Sequence, residues 1–373
     1  MLITVGQTPD ADLCGTTNAA MQAALDYVAA RGGGEVRVGP GVYTLWDAVR
    51  VPSHTRLVGA GAETVLRKAD GWKALLYEDG DFYDDWFCCN PLPPLQPGQG
   101  VVIESNAYSG FFATVGTVQE VQDNRARINR RFSADFMVAH DAFVATVHPL
   151  VSVEDSCDVA IRNFVIDGNG ANNPRMNGCR GAAVYGLFGH GVHVSGVTVR
   201  NFHGDAISFQ HSHEWVVEDC LFEDNLGGGM HPGSGSKRPV LRRCTSRRNR
   251  GWGLFVCWRV KGARYEDNVL EANGAGGISI GHKDTDNLFL RNRVVGNAGP
   301  GISTRDETFP MAPHRGVYQE NIVTGNNAGG AQVVLTGAVH DLRFTGNIFD
   351  PTETAFDVGP GVVNLIVDES AVV

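Results

Sequence analysis

The sequence has no uninterrupted apolar run of membrane-spanning length; a crossing helix needs about 20 such residues. It has no excess of positive charge either. Its 31 Lys and Arg face 41 Asp and Glu, for a formal net charge of −10. A nucleic-acid binder usually shows a basic face or domain, so neither a membrane nor a nucleic acid is expected as a partner. The eight cysteines, Cys14, Cys88, Cys89, Cys157, Cys179, Cys220, Cys244 and Cys257, form no paired CxxC pattern of the zinc type. Adjacent Cys88 and Cys89 read as ordinary thiols, since buried free cysteine is a common small apolar residue. No metal site is read from the sequence, and calcium is the one ion left open as a cofactor. The opening "MLITVGQTPD" lacks a basic start and an apolar signal core. The expectation is a cytoplasmic protein, or a secreted one already trimmed. The oligomeric state is not fixed.

What the sequence does have is glycine, 47 of 373 residues, without a collagen triplet. That implies many tight turns, and a single domain of this length implies an elongated architecture. Short phrases ending in Asn recur at Asn201, Asn225, Asn249, Asn273 and Asn297, each 24 residues after the last. A second column lies five residues upstream, at Cys220, Cys244, Asn268 and Asn292, and continues after longer turns at Asn321 and Asn347. Each unit holds three strand-like runs, such as "ARYED", "VLEA" and "GISIG", separated by Asn or Gly turns. None has the length or period of a helix. Asn and Gly tolerate the left-handed backbone of sharp turns. Such a unit cannot bury its inner face alone and must stack on its neighbours. The fold read from this is all-β, a right-handed parallel β-helix. Asn268, Asn292, Asn321 and Asn347 are expected to form a ladder inside it, continued by Cys220 and Cys244.

The N-terminal part carries a separate signal. "TTNAAMQAALDYVAARGGGEVRVGPGVYTL" has apolar residues at helical spacing from Ala20 to Val28, then a Gly run and an alternating strand, and "VPSHTRLVGAGAETVLRKAD" follows. This resembles the opening of the pectate-lyase-like β-helix superfamily, where a helix caps the barrel and "GGGxVxxxxGxY" starts the first coil. The resemblance covers residues 13 to about 70 and 150 to 350. It implies one β-helix domain over residues 1–373, with a cap at about 13–35. An insertion at about 76–150 leaves the repeat frame and includes a hairpin around "DN" at 123–124. The superfamily contains polysaccharide lyases, glycoside hydrolases, uronate epimerases and non-catalytic spike proteins. A polysaccharide or oligosaccharide is therefore the expected partner.

Aligning the strands that follow the Gly turns gives rows starting at Ile207, Met230, Leu254, Ile278 and Ile302. Alternation turns Ser208, His231, Phe255, Ser279 and Ser303 outward. The ends of the rows bring His211, Ser234, Trp258, His282 and Asp306 into one column, with Arg259, Lys283 and Glu307 in the next. In the resembled superfamily this wall and its turns carry the substrate groove. His231, His282, Lys283, Arg305 and Glu307 are the catalytic candidates. Asp205, His211, Trp258, Arg259, Asp284 and Asp306 are the substrate-binding candidates. A second location, around Asp205, His211 and His213, lies one or two coils nearer the N-terminus.

A lyase or epimerase must remove the proton beside a uronate carboxyl, with cations to neutralise that carboxylate. The cluster suits this reaction, with His282 or Lys283 as base, Arg305 on the carboxylate through its planar fork and Trp258 stacked on a sugar ring. A glycoside hydrolase needs two carboxyl groups flanking the bond, and Asp205, Asp284, Asp306 and Glu307 keep that alternative open. Polygalacturonase-type hydrolases carry an Asp pair on one strand and "GHG" before an "ISIG"-like strand. Here Asp205 stands alone, residues 275 to 277 are Ala-Gly-Gly, and "GHG" occurs only at 189 to 191. A non-catalytic glycan-binding or structural β-helix would instead show an outer face of Ser, Thr and Asn without a titratable cluster.

Overall fold

The computed structural model describes residues 1–108, 110–368 and 371–372. Its strands form three long parallel walls, of 13, 11 and 10 strands, in which each strand pairs with its counterpart one coil away. The expected register holds: Ile207 pairs with Met230, Met230 with Leu254, Leu254 with Ile278 and Ile278 with Ile302. The inward residues of these strands are buried and the barrel interior is one continuous apolar core. Identical columns stack aromatic on aromatic: Tyr265, Phe289, Tyr318 and Phe344 follow one another with centroids 4.8, 4.7 and 4.3 Å apart. That spacing is the separation of neighbouring strands.

The helix expected at the start spans Asn18–Ala30 and is capped by Thr17, whose hydroxyl accepts the Ala19 N–H. Met21, Ala24, Leu25 and Val28 form its buried stripe, at the i, i+3, i+4, i+7 spacing of one helical face. It packs on the first strands, Leu2–Gly6 and Gly34–Val38, and so covers the apolar end of the barrel.

The ladder exists, and it is double. Asn268 Nδ2 donates to Asn292 Oδ1 at 3.0 Å, Asn292 to Asn321 and Asn321 to Asn347 at 2.9 Å. Each Oδ1 also accepts the backbone N–H of the residue one coil back, and each Nδ2 also reaches a backbone carbonyl. Cys244 joins this column through its N–H, which donates to Asn268 Oδ1. The other Asn column, read above only as turns, is a second buried ladder running Asn225, Asn249, Asn273, Asn297 and Asn326, and ending on Gln332.

Asn201 departs from its apparent place. It is exposed and left-handed, at φ 53°. Phe202 stands in the ladder column instead, its N–H donating to Asn225 Oδ1. The coil here is 23 residues, since Thr198 pairs with Leu221, so the 24-residue count overshoots by one. The rule behind it is general in this chain. The left-handed residue is the one before each ladder Asn, as at Asp267, Arg291, Ala272 and Glu320, with φ between 52° and 56°.

Between the first and later coils, residues 73–145 form a six-stranded antiparallel sheet outside the walls. Its hairpin turns at Asp123–Asn124, between Thr114–Gln122 and Arg125–Ile128, as the sequence suggested. Phe87, Ile103, Val118, Ile128, Phe132 and Phe136 give it a core of its own. It is tied to the barrel through Asp47, which accepts from Arg50 at 2.9 Å and from the Thr117 hydroxyl at 2.7 Å.

Asn292→Leu removes the acceptor and donors of both neighbours and is expected to lower stability by about 1–3 kcal/mol in denaturant titration. Asn201→Gly, at a left-handed position outside the ladder, should change it by less than about 0.5 kcal/mol. Equal effects would contradict the assignment of the two positions.

Candidate functional site

The outward column of one wall runs Tyr185, Ser208, His231, then Phe255, Ser279 and Ser303. Within it the structure brings together a pair that the sequence did not connect. His231 Nδ1 lies 2.7 Å from Asp205 Oδ2, across one coil boundary. Asp205 Oδ1 accepts the Gly228 N–H at 2.6 Å, so both carboxylate oxygens are engaged. Burial pushes the Asp205 pKa up, but the His231 hydrogen bond and charge, the Gly228 N–H and Arg175 outweigh it and hold the carboxyl below its ordinary value. The fit depends on glycine. A Cβ on Gly178 would sit 1.8 Å from Asp205 Oδ2, and one on Gly227 would sit 2.3 Å from Asp205 Oδ1. The Gly-rich run 227–229 is thus a close approach of backbone to carboxylate.

His231 and Asp205 border an open cavity of about 760 Å³. Its far walls come from segments outside the repeat: Lys73, Glu104 and Phe143 from the antiparallel sheet, and Arg175 and Asn177 from the long turn 168–181. Lys73 and Arg175 are exposed cations. Glu104 is half-buried, and burial raises its pKa against the opposing charge of Lys73. His231 Nε2 is buried and has no hydrogen-bond partner among the described residues. Its ring meets Phe255 edge-on, with centroids 5.0 Å apart.

The other predicted residues lie along the turns leaving this wall. His282 stacks on Trp258 at 4.5 Å and 16°. Phe111 of the inserted segment lies 5.3 Å from the same indole, and the Arg259 guanidinium sits 5.4 Å from it. One of the two flat faces that could receive a sugar is therefore already covered by His282. His282 Nδ1 is 2.8 Å from Glu307 Oε1, off the direction of a hydrogen bond. Burial lowers the His282 pKa, with Glu307 opposing and Arg305 and Arg259 adding to the shift. Lys283 and Arg259 are exposed. His211 stacks on Phe188 one turn away, and burial with Arg259 and Arg180 lowers its pKa. His213 lies deeper in the same turn, with Nδ1 buried and unpartnered among the described residues. Asp306 is exposed, beside Glu307 and Phe309 on a separate shallow cavity. Trp258, Arg259, His282 and Lys283 all hold left-handed φ between 39° and 64°. Such backbone is uncommon for bulky side chains and often accompanies functional turns.

Arg305 and Asp284 differ from expectation. The Arg305 fork, proposed for a substrate carboxylate, is occupied inside the protein. It donates to Ser279 Oγ at 3.1 Å and to the Val256 carbonyl at 2.9 Å, approaches Asp284 at 3.4 Å and lies over the Phe255 ring. Asp284 is fully enclosed and caps its turn, accepting from the Val260 and Gly281 N–H groups. The turn needs those acceptors, which removes Asp284 from contact with substrate. None of His282, Lys283, Arg305 or Glu307 borders the cavity at His231.

Residues 181–349 match the protein family described as "Right handed beta helix region". The chain is a right-handed parallel β-helix protein. This β-helix is similar to the A-module of the mannuronan C-5 epimerase AlgE4 from Azotobacter vinelandii, with a TM-score of 0.60, 16% identity, and 95% of this chain and 91% of that chain covered. It is also similar to a structure described as a glycoside hydrolase, with a TM-score of 0.59 and 11% identity over 99% and 96% of the two chains. A third likeness is ORF18 of Geobacillus virus E2, with a TM-score of 0.52 and 14% identity over 99% of this chain and 60% of that one. At these identities the likeness is one of fold. No curated protein matches the sequence.

Burial drives the Asp284 pKa up to about 7, with Arg305 and the backbone N–H groups opposing. Its folded value then exceeds the unfolded one, so the folded state holds the extra proton. Stability is expected to fall as pH rises from about 5 to 8, and Asp284→Asn should flatten that slope. Denaturation midpoints at the two pH values test this, and an unchanged slope in the variant would contradict it.

Proposed function

We propose that this protein is a carbohydrate-active enzyme that removes a proton from a uronic-acid residue of a polysaccharide, as a lyase or an epimerase, in the cavity bordered by His231. One observation carries the reading: Asp205 has both oxygens engaged and holds His231 through Nδ1, on a cavity that also presents Lys73 and Arg175. With the Nδ1 proton directed at Asp205, the neutral ring keeps its lone pair on Nε2, the form a general base needs. Nε2 is buried in this structure, so the wall would have to open at His231 for a substrate proton to reach it. Lys73 and Arg175 would neutralise the uronate carboxylate and the enolate that develops from it. Glu104, its pKa raised by burial, would be the second proton-transfer group. In a lyase the electrons of the broken C–H bond pass into a new C=C bond as the glycosidic oxygen leaves with a proton. In an epimerase the carbon takes a proton back on its other face.

The two-carboxylate alternative fits this cavity less well. Its carboxyls are Glu104 and Asp205, and both Asp205 oxygens are already committed, one to the Gly228 N–H and one to His231, which suits Asp205 to positioning the imidazole. Two of the similar structures are described as mannuronan C-5 epimerases, which agrees with proton abstraction at a uronate. The ridge of Trp258, His282, Arg259 and Lys283 would then flank the bound polymer.

The test is a screen of mannuronate-, guluronate- and galacturonate-rich polymers, reading ultraviolet absorbance for unsaturated products and solvent deuterium uptake for epimerisation. On an active polymer, His231→Ala is expected to lose about 10²–10⁴-fold in rate, and Asp205→Asn should lose activity as well. His282→Ala, on the flanking ridge, should keep kcat near wild type and alter KM alone. A folded His231→Ala variant at wild-type rate would place the chemistry elsewhere.

A further inference from the structure

Away from the groove, three side chains of metal-binding type meet on the first coils. His54 ends the turn before the strand Thr55–Gly59, and Cys157 and Asp158 open the strand Cys157–Arg162 that pairs beside it. His54 Nδ1 is 3.2 Å from Asp158 Oδ2, and His54 Nε2 is 3.9 Å from Cys157 Sγ. One donor atom from each residue lies within 4.8 Å of the other two. The backbones beneath are fixed to each other: the His54 N–H donates to the Cys157 carbonyl at 2.9 Å, and the Cys157 N–H donates to Ser53 Oγ at 3.0 Å. Cys157 is a free thiol, and Asp158 has no other ion pair among the described residues.

We propose that His54, Cys157 and Asp158 bind one zinc-type divalent cation. Zinc takes thiolate, imidazole and carboxylate ligands in a tetrahedron, whose donors stand about 3.3–3.6 Å apart. The two short His54 spacings use different ring nitrogens, Nδ1 toward Asp158 and Nε2 toward Cys157. With one donor atom from each residue the three lie within 4.8 Å, so a modest closure is needed to reach that spacing. The His54 ring is exposed, so it can turn one nitrogen toward both other donors. Calcium and magnesium favour all-oxygen sets, which a thiol and an imidazole do not supply. Binding releases the thiol proton to solvent as the thiolate coordinates. Water completes the fourth position on this open face.

The site would act as a clip. His54 and Cys157 flank the whole excursion that carries the antiparallel sheet, with Lys73 and Glu104 on it. A bound ion closes that long loop at its base, and a ligand that binds only the folded state raises its stability by mass action. This proposal does not depend on the reading of the groove.

The experiment uses the full-length chain without an affinity tag, in a Cys14→Ser background, because Cys14 is an exposed thiol. Zn²⁺ affinity is measured by competition with a chromophoric chelator, and Co²⁺ serves as the spectroscopic probe. The expected result is one ion per chain, a rise of a few degrees in the unfolding midpoint, and a thiolate-to-cobalt charge-transfer band. Cys157→Ser should abolish that band. His54→Ala and Asp158→Asn should each weaken Zn²⁺ binding at least as much as the ~10–100-fold that loss of an outer-shell partner costs. Absence of the band in the parent protein, or Zn²⁺ affinity unchanged in all three variants, would overturn the proposal.

Discussion

Everything in this molecule depends on coil-to-coil register, and the buried asparagine ladders fix it. A β-strand alone sets only which neighbour it pairs with, and a slip of one residue turns every side chain to the other face. An Asn in the ladder prevents that slip. Its amide oxygen accepts both the side-chain and the backbone N–H of the coil before, while its own N–H groups donate to a carbonyl and to the next rung. Displacing one coil would leave several buried polar groups without partners, at about 1–3 kcal/mol each. Surface Arg–Asp pairs at the same 24-residue offset, such as Arg248 with Asp224 and Arg291 with Asp267, repeat the register on the outside. Exposed pairs of that kind contribute little individually.

Register is what turns separate sequence segments into a site. Asp205 precedes one strand and His231 sits within the next, 26 residues on. They meet only because Ile207 is held opposite Met230. The repeat supplies the imidazole and its carboxylate on a rigid wall. The excursions supply the cations and the second carboxyl, from parts of the chain that owe the repeat nothing. A rigid base facing more variable loops is a common arrangement in binding and catalytic proteins.

The limits of the sequence follow from the same division. The wall strands were legible because period and burial repeat in every coil, so Met230, Leu254, Ile278 and Ile302 fall in one column 24 residues apart. Asn201 stands outside the ladder because one coil is a residue shorter; the rows starting at Ile207 and Met230, 23 residues apart, carry that shift, but the Asn count at a constant 24 does not. The second ladder was read as turns because Asn suits both roles; only burial separates them. Arg305 and Asp284 looked like site residues because a column alignment shows which charges are near each other, not which are consumed in holding a turn. Lys73, Glu104 and Arg175 carried no signal, since their positions are set by how the inserted sheet and the long turn fold back. The clue to the Asp205–His231 pair was present: the Gly run 227–229 just before His231 marks close backbone approach, here around the Asp205 carboxylate.

The account stands on the orientation of one imidazole. Long-range ¹H–¹⁵N NMR on protein labelled at histidine, assigned with a His231 variant, reads which ring nitrogen carries the proton. The neutral ring of His231 is predicted to hold its proton on Nδ1, against Asp205, and to leave Nε2 bare. A neutral ring protonated on Nε2 would contradict the account, because Asp205 would then face a lone pair and the base would be blocked.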